Sequence, residues 1–231
     1  MGETIRLASA PLEGIRDGFE FDAWHEAPRD ARRGGLVILH AIWGVTPHLK
    51  GLAGDYAERG YEVLVPSLFD RFQRGFPERD LDPALLERQM GFGRATHWGE
   101  GVLDAVQAAI DALSPPVFAL GFCFGGTTAW LAAARCAGLS AVASYYGGDI
   151  AASHLAETPK VPTILHLGRR DELIPPADVE AIREAHPDLP VFEYDAGHAF
   201  VAPNGYEEEA ARLSTLRTLA LFTRCAGRGE V

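Results

Sequence analysis

Val117-Phe-Ala-Leu-Gly-Phe-Cys-Phe-Gly-Gly126 is an apolar run that ends in Gly121-Phe122-Cys123-Phe124-Gly125 and opens into Thr127-Thr128-Ala129-Trp130-Leu131. A buried strand must here reverse into a helix within very few residues, and the glycines flanking Cys123 remove side chains that would collide in so sharp a turn. The turn holds up a thiol. Cys123 falls just before a helix N-terminus, where the backbone dipole and unpaired N–H groups favour a thiolate and can receive an oxyanion. Both effects suit a nucleophile. The competing reading is a free cysteine that merely packs beside a glycine turn.

Outward from this turn, buried strands and helices alternate. Residues 4–8 and 19–24 read as short strands, with Glu13 to Gly18 as a turn between them. Leu36-Val-Ile-Leu39 is a continuous apolar run, as expected for a strand covered on both faces, and it ends at His40-Ala41-Ile42-Trp43-Gly44. Residues 47–59 carry helical spacing, Gly60 closes that helix, and Tyr61 to Val65 is the next strand. A long irregular segment from Pro66 to Pro83 mixes aromatics with Arg71, Arg74 and Arg79. Helices are expected over 84–92, 95–113, 124–137, 177–186 and 206–225, and strands over 117–122, 141–146, 162–167 and 190–195. The pattern implies one mostly parallel central sheet with helices on both faces, in a single domain spanning residues 1–231.

A chain of 231 residues can bury a sizeable core as one α/β domain. Its hydrophobic fraction of 47% and charged fraction of 23% match ordinary globular proteins. The formal net charge of −11 argues against nucleic acid, whose phosphates need a basic surface. Met1 to Arg6 lacks a basic stretch leading into an apolar segment of about 7–15 residues. No apolar run approaches the roughly 18 residues of a membrane span. The expectation is a cytoplasmic protein with no membrane partner. Cys123, Cys136 and Cys225 include no C-x-x-C pair, so neither a disulfide framework nor a cysteine zinc site is indicated, and Cys136 and Cys225 read as packing residues.

In a parallel sheet the functional groups collect at the carboxyl ends of the strands. Cys123 follows one strand, Asp171 follows the next but one, and His198 follows the last, in Tyr194-Asp-Ala-Gly-His-Ala-Phe200. In the order nucleophile, acid, histidine, the imidazole takes the thiol proton and the carboxylate fixes the imidazole tautomer. Singly, Asp171 also reads as a capping residue and His198 as a loop histidine. Of the other histidines, His25, His48, His97, His154 and His186 read as solvated or capping, and His166 as a hydrogen-bonded core residue. His40 closes a strand beside the site and is a candidate substrate contact or support. The N–H groups of Phe124 and of Ile42 are the candidate oxyanion donors.

Gly121-Phe-Cys-Phe-Gly-Gly126, Gly168-x-x-Asp171-x-x-x-Pro175, Gly197-His198-x-Phe200 and Trp43-Gly44 together resemble the dienelactone hydrolase family of α/β-hydrolases, over nearly the whole chain. The resemblance implies an α/β-hydrolase fold, a triad of Cys123, Asp171 and His198, and an oxyanion hole of Ile42 and Phe124. It also implies two departures. Dienelactone-cleaving members carry a Gln-Glu-Ile-Phe-Gly segment whose glutamate holds the cysteine neutral at rest, whereas Ala41 stands at that position here. They also place an arginine shortly after the catalytic histidine to bind the substrate carboxylate, whereas Val201-Ala-Pro203 follow here. Arg88 or Arg94 is the candidate for a second family arginine.

Without the glutamate, Cys123 and His198 should interact directly and leave the resting thiol more nucleophilic. Small neutral esters or lactones are the expected substrates, in a pocket lined by Trp43, Tyr145, Phe200 and Phe124, and activated phosphotriesters are a further candidate. The rivals are a true carboxymethylenebutenolidase drawing its arginine from residues 71–94, and a noncatalytic binding module on the same fold. A metal hydrolase is disfavoured because no H-E-x-x-H or H-x-x-E-H pattern is present. No cofactor is expected, and the assembly expected is a monomer or weak homodimer.

Overall fold

The structure, a computed structural model, describes residues 2–10, 12, 18–75 and 83–227. The turn expected over 13–18 falls almost wholly outside the described residues, and so does the 76–82 part of the long irregular segment, with Arg79. In chain order the elements are β1 Glu3–Ala8, β2 Glu20–Glu26, β3 Gly34–Leu39, α1 Pro47–Glu58, β4 Tyr61–Pro66, α2 Pro83–Ala95, a 3-10 turn His97–Val102 and α3 Leu103–Asp111. Then follow β5 Val117–Phe122, α4 Phe124–Arg135, β6 Leu139–Tyr145, α5 Ile150–Ser153, β7 Thr163–Gly168, α6 Pro176–Ala185, β8 Val191–Tyr194 and α7 Glu208–Cys225.

The strands form one sheet in the order β1-β2-β4-β3-β5-β6-β7-β8. β1 and β2 join antiparallel at one edge, and every pairing from β4 to β8 is parallel. The continuous apolar runs do what they predict, since every residue of β3, β5 and β7 is buried. Successive side chains leave a strand on opposite faces. Leu36 and Ile38 of β3 therefore enter one core with Phe118, Tyr56 and Phe222, while Val37 and Leu39 enter the other with Ala119, Val106 and Leu131. Two covered faces leave the carboxyl ends of the strands as the open edge.

At the turn after β5 the backbone leaves no room for a side chain at either flanking glycine, Gly121 or Gly125. A Cβ on Gly121 would overlap the carbonyl of Gly125, and one on Gly125 would overlap the carbonyls of Leu39 and His40. Neither obstacle is a flexible side-chain end. Gly125→Ala is therefore expected to cost at least about 4 kcal/mol, the range reserved for gross steric conflict, read as a Tm loss of roughly 8 °C or more. Gly51→Ala, where a Cβ meets nothing within 4 Å, is the control and should hold or raise Tm. Equal melting temperatures for the two variants would contradict this account of the turn.

One helix expected over 95–113 is broken in two. Trp98 and Gly99 adopt φ of 53° and 123°, and Gly99 lies against Thr128 of α4 with no space for a Cβ. The close approach of α4, remote in sequence, sets that break. α5 has only four residues, too few to leave a periodic signal.

Candidate active site

Cys123 stands between β5 and α4 at φ 54°, ψ −114°, in the left-handed half of backbone space that a side chain enters only at a cost. The turn is tied on both sides. Its N–H donates to Tyr145 O at 3.0 Å, and its carbonyl accepts from the N–H groups of Gly126 and Thr127 at 2.8 and 3.1 Å. Among the described residues five non-glycine positions have positive φ, and three of them, Cys123, Tyr146 and Ala199, line one pocket. Backbone strain concentrates where the surrounding structure over-determines a geometry, so this pocket is the natural candidate site.

Asp171 follows β7 and is buried. Its Oδ1 accepts the Leu173 N–H at 2.9 Å and its Oδ2 accepts from His198 Nδ1 at 2.7 Å. The turn-capping reading and the histidine-partner reading of Asp171 thus hold together, one oxygen each. With Nδ1 committed to the carboxylate, Nε2 of His198 is the free nitrogen. It is buried and has no hydrogen-bond partner among the described residues, and Cys123 is the other group besides Asp171 whose interaction raises the ring's pKa. The Tyr146 ring meets the imidazole edge-on at 5.0 Å.

Burial on its own would lower the His198 pKa. The hydrogen bonds and negative charges of Asp171 and Cys123 outweigh it and raise the value from 6.5 to about 10. The folded value lies above the unfolded one, so the stabilisation from the charged imidazole is complete below pH 6.5 and is lost as pH rises through about 10. The His198 ring resonances should accordingly stay flat between about pH 6 and 8.5 in an NMR titration. A midpoint near the ordinary histidine value would contradict the interaction with Asp171 and Cys123.

The pocket encloses about 250 Å³. Ala41, Ile42 and Trp43 line it, as the sequence suggests. Among the described residues the N–H groups of Ile42 and Phe124 donate to no protein acceptor, which leaves both available to an oxyanion. The other lining groups are mostly apolar, including Phe122, Leu173, Val201 and Pro203, and the described lining contains no arginine, lysine or carboxylate. No three His, Cys, Asp or Glu side chains among the described residues come together as a metal site.

Several expected pocket residues lie elsewhere. Tyr145 is the last residue of β6 and turns into the core, where its hydroxyl pairs with Thr218 Oγ1 at 2.7 Å; its neighbour Tyr146 lines the pocket instead. Phe200 is wholly buried between Tyr146 and Tyr194, behind the pocket wall. The Phe124 side chain packs on Phe69 and His40 and does not line the pocket. His40 is likewise buried behind the wall. Arg88 sits over the Phe92 ring and Arg94 pairs with Glu87 on the exposed side of α2, and neither reaches the pocket. His48, read from sequence as solvated, lines it. The exposed Leu173, two residues past Asp171, is a lining residue that strand-end reasoning passes over.

The model of the dienelactone hydrolase family matches residues 21–226. A carboxymethylenebutenolidase of a Pseudomonas species is 28% identical, with 94% of this chain and 95% of the relative covered. The carboxymethylenebutenolidase of Pseudomonas putida is 30% identical, with 88% and 91% covered. Among solved structures, a dienelactone hydrolase-like promiscuous phosphotriesterase from metagenomic libraries superposes with a TM-score of 0.70 at 21% identity, over 97% of this chain and 98% of the other. At that identity the likeness is one of fold.

Proposed function

As this chain belongs to the dienelactone hydrolase family and is a hydrolase of esters or lactones, we propose that it cleaves small uncharged substrates of that kind by acyl transfer to Cys123. His198 carries on Nε2 the proton taken from the thiol while Asp171 holds Nδ1, and the Cys123 sulfur attacks the substrate carbonyl. The carbonyl oxygen gains a negative charge that the N–H groups of Phe124 and Ile42 receive. The intermediate collapses to a thioester as His198 returns the proton to the leaving alkoxide. A water deprotonated by His198 then hydrolyses the thioester and frees Cys123.

The observation that carries the proposal is the Asp171–His198 hydrogen bond of 2.7 Å, with His198 and Cys123 lining the same pocket. The preference for uncharged substrates follows from the walls. A carboxylate placed among Trp43, Phe122, Val201 and Ala202 would lose its water and meet no arginine or lysine among the described lining residues. The carboxymethylenebutenolidase relatives make the free acid the informative competitor. A dienelactone carboxylate and its methyl ester should differ in kcat/KM by about tenfold or more in favour of the ester, a difference of about 1.4 kcal/mol or more. Preference for the acid would defeat the neutral-substrate reading and leave the acyl-transfer chemistry standing.

Activated phosphotriesters are a second candidate class. They are uncharged, and Ala41 leaves the thiol without a carboxylate beside it in the His40–Gly44 segment. Release of p-nitrophenol from a dialkyl p-nitrophenyl phosphate, lost on alkylation of Cys123, is the expected result. Release that survives alkylation would assign that activity to another group.

A further inference from the structure

His40 is a buried titratable residue that the mechanism above does not use. Its ring lies 28 positions from Leu68 in sequence, yet Leu68 N–H donates to its Nε2 at 3.0 Å. A backbone N–H can only donate, so Nε2 is unprotonated and Nδ1 carries the proton of the neutral ring. Nδ1 is 2.6 Å from the carbonyl oxygen of Ala41 and donates to it. The Gly44 N–H donates to the same carbonyl at 3.1 Å. Phe69 and Phe124 hold the ring, with centroids at 5.0 and 6.2 Å. Burial keeps it neutral by lowering its pKa to about 4, so the tautomer persists through the neutral range.

The Ala41 carbonyl and the Ile42 N–H belong to one peptide unit. In a trans peptide the two point in opposite directions. A donor that fixes the carbonyl behind the wall therefore fixes the N–H toward the pocket in front. The geometry points to His40 as a positioning residue that sets the Ile42 oxyanion donor by clamping the Ala41–Ile42 peptide plane. This rests on the acyl-transfer reading, since without a developing oxyanion the orientation of that N–H has no consequence for rate. His40 itself touches no substrate. Its effect belongs to the step in which charge develops on the carbonyl oxygen and not to formation of the nucleophile.

That distinction gives the test. His40→Leu removes the donor, while His40→Asn keeps an amide N–H near the place of Nδ1. Loss of one oxyanion donor costs about 10² to 10³ in rate, so for p-nitrophenyl acetate His40→Leu is expected to lower kcat by about 30-fold or more with KM held within about threefold. His40→Asn should recover most of the loss. Alkylation of Cys123 by iodoacetamide, which forms no oxyanion, should proceed in His40→Leu at about the parental rate.

A kcat within threefold of the parent, or an alkylation rate that falls in parallel with kcat, would overturn the proposal. If His40→Leu does not fold, ¹⁵N NMR of the parent imidazoles tests the same premise: His40 must show the proton on Nδ1, and a proton on Nε2 would overturn it. Turnover by a parent enzyme fully alkylated at Cys123 is the separate signature that the acyl-transfer reading has failed.

Discussion

Cys123→Ala is expected to lower kcat/KM for p-nitrophenyl acetate by about 10⁴-fold or more, the scale seen when a covalent nucleophile is deleted from a triad that acts as a unit. The alanine removes only the sulfur. The turn itself is fixed by main-chain bonds from Cys123 to Tyr145, Gly126 and Thr127, which a methyl side chain leaves in place. Melting temperature should therefore stay close to that of the parent, which separates loss of chemistry from loss of fold. The two remaining cysteines are the internal control. Cys136 is buried with its sulfur 4.0 Å from the Leu103 carbonyl, and Cys225 is buried at the end of α7. Their joint replacement by alanine should lower stability through lost packing and leave activity per folded molecule nearly unchanged. Activity retained in Cys123→Ala would exclude the nucleophile and the mechanism with it.

The second large effect is expected at a residue that never touches substrate. Asp171→Asn keeps the shape of the side chain and can keep the Leu173 N–H on its oxygen, so the turn after β7 should survive. The His198 side cannot survive in the same way. If the amide oxygen takes Leu173, its NH₂ faces Nδ1, which must then be the acceptor, and the proton moves to Nε2, the nitrogen that should receive the thiol proton. The loss of the carboxylate charge also removes a group that raises the His198 pKa. Wrong tautomer and weaker base together should reduce kcat by about 10³ to 10⁴. The measurements are kcat and the His198 titration, which should move down toward the ordinary range. A kcat within tenfold of the parent, with an unmoved titration, would show that Asp171 only caps its turn.

Much of this arrangement can be read from sequence because it follows from strand ends. β3, β5 and β7 are covered on both faces and so appear as unbroken apolar runs, and the residues that follow them must emerge at one edge. That logic brings Cys123 and Asp171 to a common side, and the parallel pairing of β8 with β7 brings His198 to the same edge. The pocket walls are less legible, because they depend on where strand alternation stops. Tyr146 sits one residue past β6 at φ 40°, so the side chain that faces the pocket is displaced by one position from Tyr145. Ala199, at φ 60°, likewise turns the chain so that Phe200 points into the core. His40 illustrates a further limit. Its position at the end of β3 is evident, but its role depends on Leu68 in another segment, and no local pattern reports that contact. Arg88 and Arg94 fail as pocket residues because α2 turns them toward Phe92 and Glu87.

The central claim is that substrate acyl groups pass through the Cys123 sulfur, and rapid-quench mass spectrometry of the intact protein tests it most directly. With a slowly hydrolysed p-nitrophenyl ester, one acyl group per chain should appear within the first turnover, map to the peptide containing Cys123, and decay at the steady-state rate. Turnover without any adduct, or an adduct on another residue that forms and decays at the turnover rate, would contradict the account.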